Sequence, residues 1–406
     1  MTLAQLAVDG GMPVRTAPLP PWPFFADDEI ASAERVLRSG RVNYWTGEEG
    51  RAFEREFAEF VGARHAVAVA NGTVALELAL EALGVGPDDD VVVPPRTFVA
   101  SASAVVMRGA RPVFADVDRD SQNVTAATVA AAMTDRTRAV IAVHLAGWPA
   151  DIDAIAGVAR ERGAYVIEDC AQALGATYGG RRVGCRSDAA AFSFCQDKIL
   201  TTGGEGGMLV TGDDGVWERA WSFKDHGKTP AAMNERGGPS TEFRWLHDAF
   251  GTNWRMTELQ AAIGRTCLPK VDGWIERRRA NAAALASCLR EFPAIRVAAS
   301  PAEAGHAFYK FYAFVEPEHL AEGWTRDRIA EAVSAEGWPC GVGACAEIYR
   351  EQAFVRSGLA PLEPLPVARE LGETSLMFLV HPTLSEGDMA DGCSALTKVL
   401  GRASRA

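Results

Sequence analysis

The stretch SFCQDKILTTGGEGG, residues 193–207, places a single lysine between a serine and a run of glycines. The apolar runs DAAAFSF and GGMLVTG, which overlap its two ends, are predicted β-strands. A lysine at a strand end, beside glycines that let backbone and ligand approach closely, can supply an amine nucleophile for a carbonyl group, as in a Schiff base. Most lysines are instead solvated surface charges, and a phosphate-binding P-loop carries its lysine after the glycines, not before them. Support for Lys198 as a nucleophile must therefore come from the rest of the chain.

Around this stretch, short apolar strands alternate with helical segments, from HAVAVA at residue 65 to GGMLVTG. Apolar strands without polar alternation, separated by helices, indicate a largely parallel sheet covered on both faces. From about Trp217 long helical segments take over, and residues 256–292 form a helical bridge interrupted at Pro269. We predict a large α/β domain with the N-terminal segment over residues 1–265, and a bridging helix with a smaller C-terminal α+β domain over residues 266–406.

The composition argues against several classes of partner and site. The 406-residue chain has a formal net charge of −12 and no Lys/Arg cluster beyond short pieces such as ERRRA, which argues against nucleic acid and against anionic membranes. It shows neither a signal-peptide pattern nor a run of roughly 18 apolar residues, so we expect a cytoplasmic protein. Its eight cysteines and seven histidines are scattered without metal-ligand spacing, which predicts free thiols and no metal site.

An acidic residue ends another predicted strand. In AYVIEDCAQALGA, Asp169 follows an apolar run and would lie at the carboxyl edge of the sheet, where α/β folds bind ligands. A buried carboxylate there requires a cationic partner. The protonated ring nitrogen of pyridoxal phosphate (PLP) is such a partner, and holding that proton makes the ring an electron sink. A helix cap or a structural hydrogen-bond acceptor is the alternative role for Asp169.

Two further segments also follow the ends of predicted strands. In ANGTVALELAL, the backbone N–H groups at the helix start and the Thr73 hydroxyl would bind a phosphate, although capping by Asn71 explains the same residues without a ligand. In PRTFVAS, the ring of Phe98 would lie flat on an aromatic ligand or pack into the core.

These segments resemble the DegT/DnrJ/EryC1/StrS family, the sugar aminotransferases of PLP fold type I. The resemblance runs from about Trp22 to the HPTL at His381 and rests on motifs in matching order: GTVALELAL, TFVASASAV, VHLAGWPADID, IEDCAQALGA, SFCQDKILTTGGEGGMLVT, DHGK and GTNWRMTELQAAIG. It implies a large domain with a central, mostly parallel sheet flanked by helices, a smaller α+β domain, and a homodimer with its active sites at the subunit interface.

The resemblance also implies roles for single residues. Lys198 matches the lysine that forms the Schiff base with PLP and then moves the proton, and Asp169 matches the acid paired with the pyridine nitrogen. The further cofactor contacts that it implies are Gly72, Thr73, Phe98, Gln172, Ser193 and, from the neighbouring subunit, Asn253. The substrate contacts that it suggests are Trp45, Thr46, Arg255 and Tyr349, with a core lid as the alternative for Trp45 and a structural ion pair for Arg255.

The implied reaction transfers an amino group from glutamate or glutamine to a nucleotide-linked keto sugar, first of all a dTDP-4-keto-6-deoxyhexose. A 3-keto sugar nucleotide and a cyclitol or aminoshikimate-type ring ketone are the alternatives, because GVGACAEIYREQAF at residues 341–354 departs from the family pattern. Lys224, Arg244 and Lys310 are candidates to hold a diphosphate. A non-catalytic regulator is the alternative of another class, but it would be expected to have lost Lys198, Asp169 and Gln172.

Overall fold

A computed structural model describes residues 5–229 and 246–405. Its strands are β1 (His65–Val69), β2 (Asp90–Val93), β3 (Arg111–Phe114), β4 (Thr137–Val143), β5 (Tyr165–Asp169), β6 (Thr177–Tyr178), β7 (Arg181–Arg182), β8 (Ala189–Ser193), β9 (Gly207–Thr211), β10 (Ile295–Arg296), β11 (Ala304–Gly305), β12 (Phe311–Val315), β13 (Cys340–Gly341) and β14 (Ser375–Phe378). The described helices are α1 (Asp27–Ser39), α2 (Glu49–Val61), α3 (Gly72–Ala82), α4 (Ala100–Met107), α5 (Ala126–Ala132), α6 (Ile152–Glu161), α7 (Asp214–Phe223), α8 (Glu258–Cys267), α9 (Val271–Leu289), α10 (Arg326–Ala335), α11 (Gln352–Arg356), α12 (Pro366–Thr374) and α13 (Glu386–Ala403).

The large domain is built on a seven-stranded sheet of order β1-β9-β8-β5-β4-β2-β3. β9 is antiparallel to both of its neighbours, whereas the pairs from β8 to β3 are all parallel. This confirms the predicted α/β fold with a mostly parallel sheet. Since parallel strands end at one edge, the residues that follow β2, β5 and β8 come together there.

Helices cover both faces of this sheet, and their apolar spacing explains why. Helix α3 is buried along Ala75, Leu76, Leu78 and Ala79. On the other face, Phe53 and Phe57 of α2 are fully buried, and the Phe57 ring lies 5.0 Å from that of Phe192 in β8. Both strand faces are therefore apolar, as the runs without polar alternation predict.

The bridge to the C-terminal part follows the predicted interruption. Helix α8 ends at Cys267, a short 3-10 turn carries Pro269, and α9 continues to Leu289. Beyond it, β10, β12, β14 and β13 form a four-stranded sheet, which shares one apolar cluster with α10 and α13. The predicted boundary at residues 265/266 lies near the end of α8 and stays a prediction.

A third sheet links the two parts in a way that the sequence does not indicate. Its order is β11-β6-β7, so Ala304–Gly305 from the C-terminal part pairs with Thr177–Tyr178 of the large domain. Two-residue strands are too short to show periodicity. All eight cysteines are free thiols, as expected, and none of the described helices is both long and apolar enough to cross a membrane.

Candidate active site

A cavity of about 1020 Å³ opens at the carboxyl edge of the central sheet. Asp169 at the end of β5, Ser193 at the end of β8 and Gly72 at the start of α3 contribute to its wall. Seven predicted site residues line it together: Gly72, Thr73, Phe98, Asp169, Gln172, Ser193 and Lys198. The topology therefore brings side chains from four separate sequence segments into one site.

The glycine run explains how the chain returns from Lys198 to the sheet. Gly203 and Gly204 have φ angles of 87° and 120°, a region that residues with a Cβ rarely adopt. A Cβ on Gly207 would lie 2.3 Å from the carbonyl oxygen of Asn71. The glycines thus let β9 pack directly against the start of α3, beside the lysine.

Lys198 itself is held from several directions. Its carbonyl oxygen accepts a hydrogen bond of 2.9 Å from the indole N–H of Trp22, and its Nζ lies 4.8 Å from the centroid of the Tyr309 ring. The Tyr309 hydroxyl donates to Asp197 Oδ2 at 2.5 Å. The guanidinium of Arg278 lies over the Trp22 ring and donates to the Tyr309 carbonyl at 3.2 Å. The N-terminal segment and the bridge helix together fix the loop that carries the amine.

Replacing Trp22 with phenylalanine tests this support, because the change removes the indole N–H and keeps an aromatic ring. We expect kcat to fall about five- to tenfold, in line with the loss of one partly buried hydrogen bond. Trp274→Phe is the matched control, since Trp274 packs edge-on against Trp22 at 5.4 Å but does not contact Lys198. An unchanged kcat in Trp22→Phe, or an equal fall in the control, would contradict the positioning role.

Asp169 lies in the wall as a buried carboxylate, 5% exposed. Its Oδ2 accepts from the Ser101 hydroxyl at 2.7 Å and its Oδ1 from the backbone N–H of Ala171 at 3.1 Å. Within the described ranges no lysine, arginine or histidine forms an ion pair with it. A buried carboxylate without a cation is costly, so this site is suited to a ligand that brings a positive charge.

The start of α3 offers a place for an anion. Asn71 caps the helix by accepting from the Val74 N–H at 3.0 Å, so the capping role weighed from the sequence is present. The N–H groups of Gly72 and Thr73 precede it in the first turn and have no acceptor within the helix. A Cβ on Gly72 would lie 2.6 Å from the Cβ of Ser193, so only glycine lets β8 end this close to the helix.

The other two groups complete a site that fits PLP. The Phe98 side chain is 65% exposed although it lines the cavity, which leaves an aromatic face open to a ring. Gln172 accepts through Oε1 from the Ala146 N–H at 2.8 Å, and its amide NH2 has no acceptor among the described residues. An amine for the aldehyde, an acid for the ring nitrogen and a helix start for the phosphate are therefore all present.

The loop residues predicted to contact substrate lie outside the cavity of their own chain. The Trp45 ring packs edge-on against Tyr44 and Trp221, at 5.7 and 5.9 Å. Thr46 is exposed, and its hydroxyl donates to the Asn43 carbonyl at 3.1 Å. The packing of Trp45 agrees with the lid alternative, and contact with substrate in a neighbouring subunit stays a prediction for both residues.

The same holds for the segment GTNWRM. Asn253 is exposed and does not line the cavity of its own chain. Its contact with the cofactor of a neighbouring subunit stays a prediction. Arg255 forms an ion pair of 2.7 Å with the buried Asp225, so the structural role weighed for it is present.

Two predicted ligands must be corrected. Tyr349 does not line the cavity: its ring is buried against Phe114, and its hydroxyl accepts from the Leu365 N–H at 3.0 Å. Lys224 is fully buried, with Nζ 3.7 Å from the centroid of the Tyr44 ring, so it cannot reach a diphosphate in the cavity. Of the other diphosphate candidates, Lys310 lines the cavity, and Arg244 lies outside the described residues.

One cluster of metal-ligating types was not foreseen from the sequence. His144, Glu168 and Cys170 are buried with potential ligand atoms within 4.8 Å of one another. However, His144 Nδ1 accepts from the Ala150 N–H at 2.9 Å and its Nε2 lies 3.0 Å from Glu168, which also accepts from the Gly184 N–H. Hydrogen bonding accounts for this cluster without an ion.

Several cavity residues were missed by sequence reasoning: Ser101, Cys195, Asp197, Glu205, Tyr309, Tyr312, Cys345 and Glu351. For Ser101 and Asp197 a local signal exists, because the former is one helical turn after Phe98 and the latter precedes Lys198. The tyrosines come from the distant β12 region, and nothing in their local sequence connects them to the lysine.

The chain is similar in sequence and structure to known aminotransferases. A sequence model described as the DegT/DnrJ/EryC1/StrS aminotransferase family matches residues 24–397. The solved structure of an aminotransferase from Psychrobacter cryohalolentis is 48% identical, with a TM-score of 0.92 over 95% of this chain and 99% of that one. An L-glutamine:2-deoxy-scyllo-inosose aminotransferase of Streptomyces fradiae is 36% identical over 98% of both chains. A dTDP-3-amino-3,4,6-trideoxy-alpha-D-glucose transaminase of Streptomyces venezuelae is 37% identical over 87% of both.

Proposed function

Because the chain belongs to the DegT/DnrJ/EryC1/StrS aminotransferase family and is thus a PLP-dependent transaminase, we propose that it aminates a ring ketone with glutamate or glutamine as the donor. The observation that carries this proposal is the single cavity that holds the Lys198 amine, the Asp169 carboxylate and the start of α3. A non-catalytic regulator would have no need to keep these three groups together.

PLP, when bound, would supply a carrier for the amino group and a ring that acts as an electron sink. The residues of this chain do the rest. Asp169 would stabilise a positive charge on the ring nitrogen, and Ser101 orients its carboxylate through the 2.7 Å hydrogen bond. Gly72 and Thr73 would hold the phosphate through the N–H groups of the helix start, and Phe98 would cover the ring face.

Lys198 moves the proton. In the described part of the chain its Nζ has no hydrogen bond or ion pair, and it lies over the face of the Tyr309 ring. The amine in that position can take a proton from the carbon that carries the nitrogen and return it at the opposite step. The turn around Lys198 keeps the amine at the cavity wall throughout.

For the acceptor we put a nucleotide-linked keto sugar first, with a dTDP-4-keto-6-deoxyhexose as the specific prediction. The similarity to a transaminase named for a dTDP-linked amino sugar supports the nucleotide, although that name places the amino group at carbon 3. A cavity of about 1020 Å³ has room for a sugar ring beside the cofactor. A cyclitol ketone is the second candidate, favoured by the relative that acts on 2-deoxy-scyllo-inosose and matches over 98% of both chains.

The acceptor is tested by loading the holoenzyme with glutamate and offering dTDP- and UDP-linked 3-keto and 4-keto sugars alongside scyllo-inosose. Mass spectrometry of the products identifies each aminated ring. We expect amination of the nucleotide-linked sugars, with the highest kcat/KM for the dTDP-4-keto sugar. Amination of the cyclitol alone would shift the assignment to the second candidate, and an enzyme that binds PLP but aminates nothing would support a regulator.

A further inference from the structure

We propose that Lys310 anchors a carboxylate group of the amino donor, an inference that rests on the proposed aminotransfer and adds to it the residue that recognises the donor. Lys310 directly precedes β12 and is far from Lys198 in sequence, and its side chain is 18% exposed in the cavity wall. The sequence suggested a diphosphate as its ligand, and its position beside the reacting amine favours a carboxylate instead.

Among the described residues, the cavity wall offers one cation for that task besides the reacting amine. Lys198 and Lys310 are the only lysine or arginine side chains among the described residues that line it. Asp169, Asp197, Glu205 and Glu351 supply negative charge to the same wall. An amino acid donor carries one or two carboxylates into this acidic cavity, so its binding requires a positive group that the chemistry does not use.

Lys310 is close to the place where the donor amine must react. Its Nζ and that of Lys198 each lie 4.8 Å from the centroid of the same Tyr309 ring. In an amino acid the α-carboxylate is bonded to the carbon that bears the nitrogen. In a nucleotide-linked sugar, by contrast, part of the ring separates the diphosphate from a ketone at carbon 3 or 4. A cation this near to the lysine therefore suits the donor better than the diphosphate.

The ammonium of Lys310 keeps hydrogen-bonding capacity for a ligand. Its ion pair with Asp197 is long, at 3.5 Å, and Asp197 Oδ2 already accepts the shorter bond of 2.5 Å from the Tyr309 hydroxyl. An ammonium group has three donors. Burial lowers the pKa of Lys310, while Asp197 acts in the opposite direction. A donor carboxylate would replace the solvent that burial removes.

The segment around Lys310 is fixed in place before any ligand binds. The Tyr309 N–H donates to the Ala146 carbonyl at 2.8 Å, and Arg278 donates to the carbonyls of Phe308 and Tyr309 at 3.3 and 3.2 Å. These contacts connect β12 to the large domain and to the bridge helix. Little conformational freedom is left to lose, which is the condition for a preorganised anchor.

The test is Lys310→Met in the PLP-loaded enzyme, with L-glutamate, L-glutamine and L-alanine as donors. We expect KM for glutamate to rise roughly ten- to a hundredfold while kcat at saturation changes by less than about threefold, because a charge-assisted contact is lost and the proton-moving amine is kept. Calorimetric binding of α-methyl-L-glutamate, which has no α-proton to lose, should weaken by a similar factor. Lys310→Arg should keep both constants within about threefold.

Comparison of the three donors shows whether Lys310 binds the α-carboxylate or the side-chain carboxylate of glutamate. A rise in KM for all three amino acids assigns Lys310 to the α-carboxylate, and a rise for glutamate alone assigns it to the side-chain carboxylate; both support the inference. Lys398→Met is the matched control, since Lys398 is 15% exposed and paired with Glu336 at 2.7 Å but lies outside the cavity.

Unchanged donor constants in Lys310→Met overturn the inference, and so does a rise confined to the keto-sugar acceptor. Either result leaves the proposed function intact, because the variant would still bind PLP and transaminate. Failure of the proposed function looks different: the wild-type protein itself would then aminate no acceptor with any donor.

Discussion

Lys198→Ala is expected to abolish amino transfer, with kcat falling at least about 10³-fold. The variant loses the group that bonds to the cofactor aldehyde and the base that moves the proton, and general acid–base catalysis alone contributes roughly 10²–10⁴-fold. The visible absorbance of the holoenzyme should shift or disappear in the variant. Rates are measured with glutamate and a keto acceptor that the wild-type enzyme aminates, and absorbance is recorded on the same samples.

Lys270→Ala controls for the loss of a lysine elsewhere. Lys270 pairs with Glu29 at 2.6 Å on the surface of the bridge and does not line the cavity. Its removal should lower stability without changing the absorbance of bound PLP. If Lys198→Ala kept more than about a tenth of the wild-type kcat, the assignment of the nucleophile would be wrong.

Asp169→Asn is expected to lower kcat by roughly 10²–10³-fold while the protein stays folded. Asparagine is close in shape and can still accept from Ser101, but it carries no charge to stabilise the protonated ring. Removing one partner of a buried ion pair costs about 3–5 kcal/mol, and about 1.4 kcal/mol corresponds to tenfold. The measurement is kcat together with the dissociation constant of PLP.

A graded series sharpens this prediction. Ser101→Ala removes only the 2.7 Å hydrogen bond to Asp169, so kcat should fall about fivefold, far less than in Asp169→Asn. The fall in kcat should therefore be larger in the variant that loses the charge than in the variant that loses only a hydrogen bond. Equal effects, or an Asp169→Asn enzyme within about threefold of wild type, would contradict the role of the carboxylate.

The fold and the cavity residues next to the central sheet were predictable because the sequence patterns that indicate them are local. Asp169 ends an apolar strand, Gly72 begins the helix after one, and Lys198 lies in the turn that follows β8. Parallel strands bring such positions to one edge of the sheet. The interruption of the bridge at Pro269 was predictable for the same reason, since proline acts on its own turn.

The residues that support Lys198 from other parts of the chain were not predictable from single segments. Trp22, Arg278 and Tyr309 come from the N-terminal segment, the bridge helix and the C-terminal part, and only tertiary packing brings them to Lys198. Burial also explains why Tyr349 and Lys224 were wrongly predicted to bind substrate. Each carries a polar group that could bind a ligand, but both side chains pack against aromatic rings. Local sequence does not report which side of a helix or loop the rest of the chain will cover.

The bond between Lys198 and the cofactor is tested most directly by reducing the PLP-loaded protein with borohydride, followed by proteolysis and mass spectrometry. We expect one modified peptide, heavier by a pyridoxyl phosphate group, with the modification on Lys198. A modification on another lysine, or none on a protein that binds PLP stoichiometrically, would contradict it.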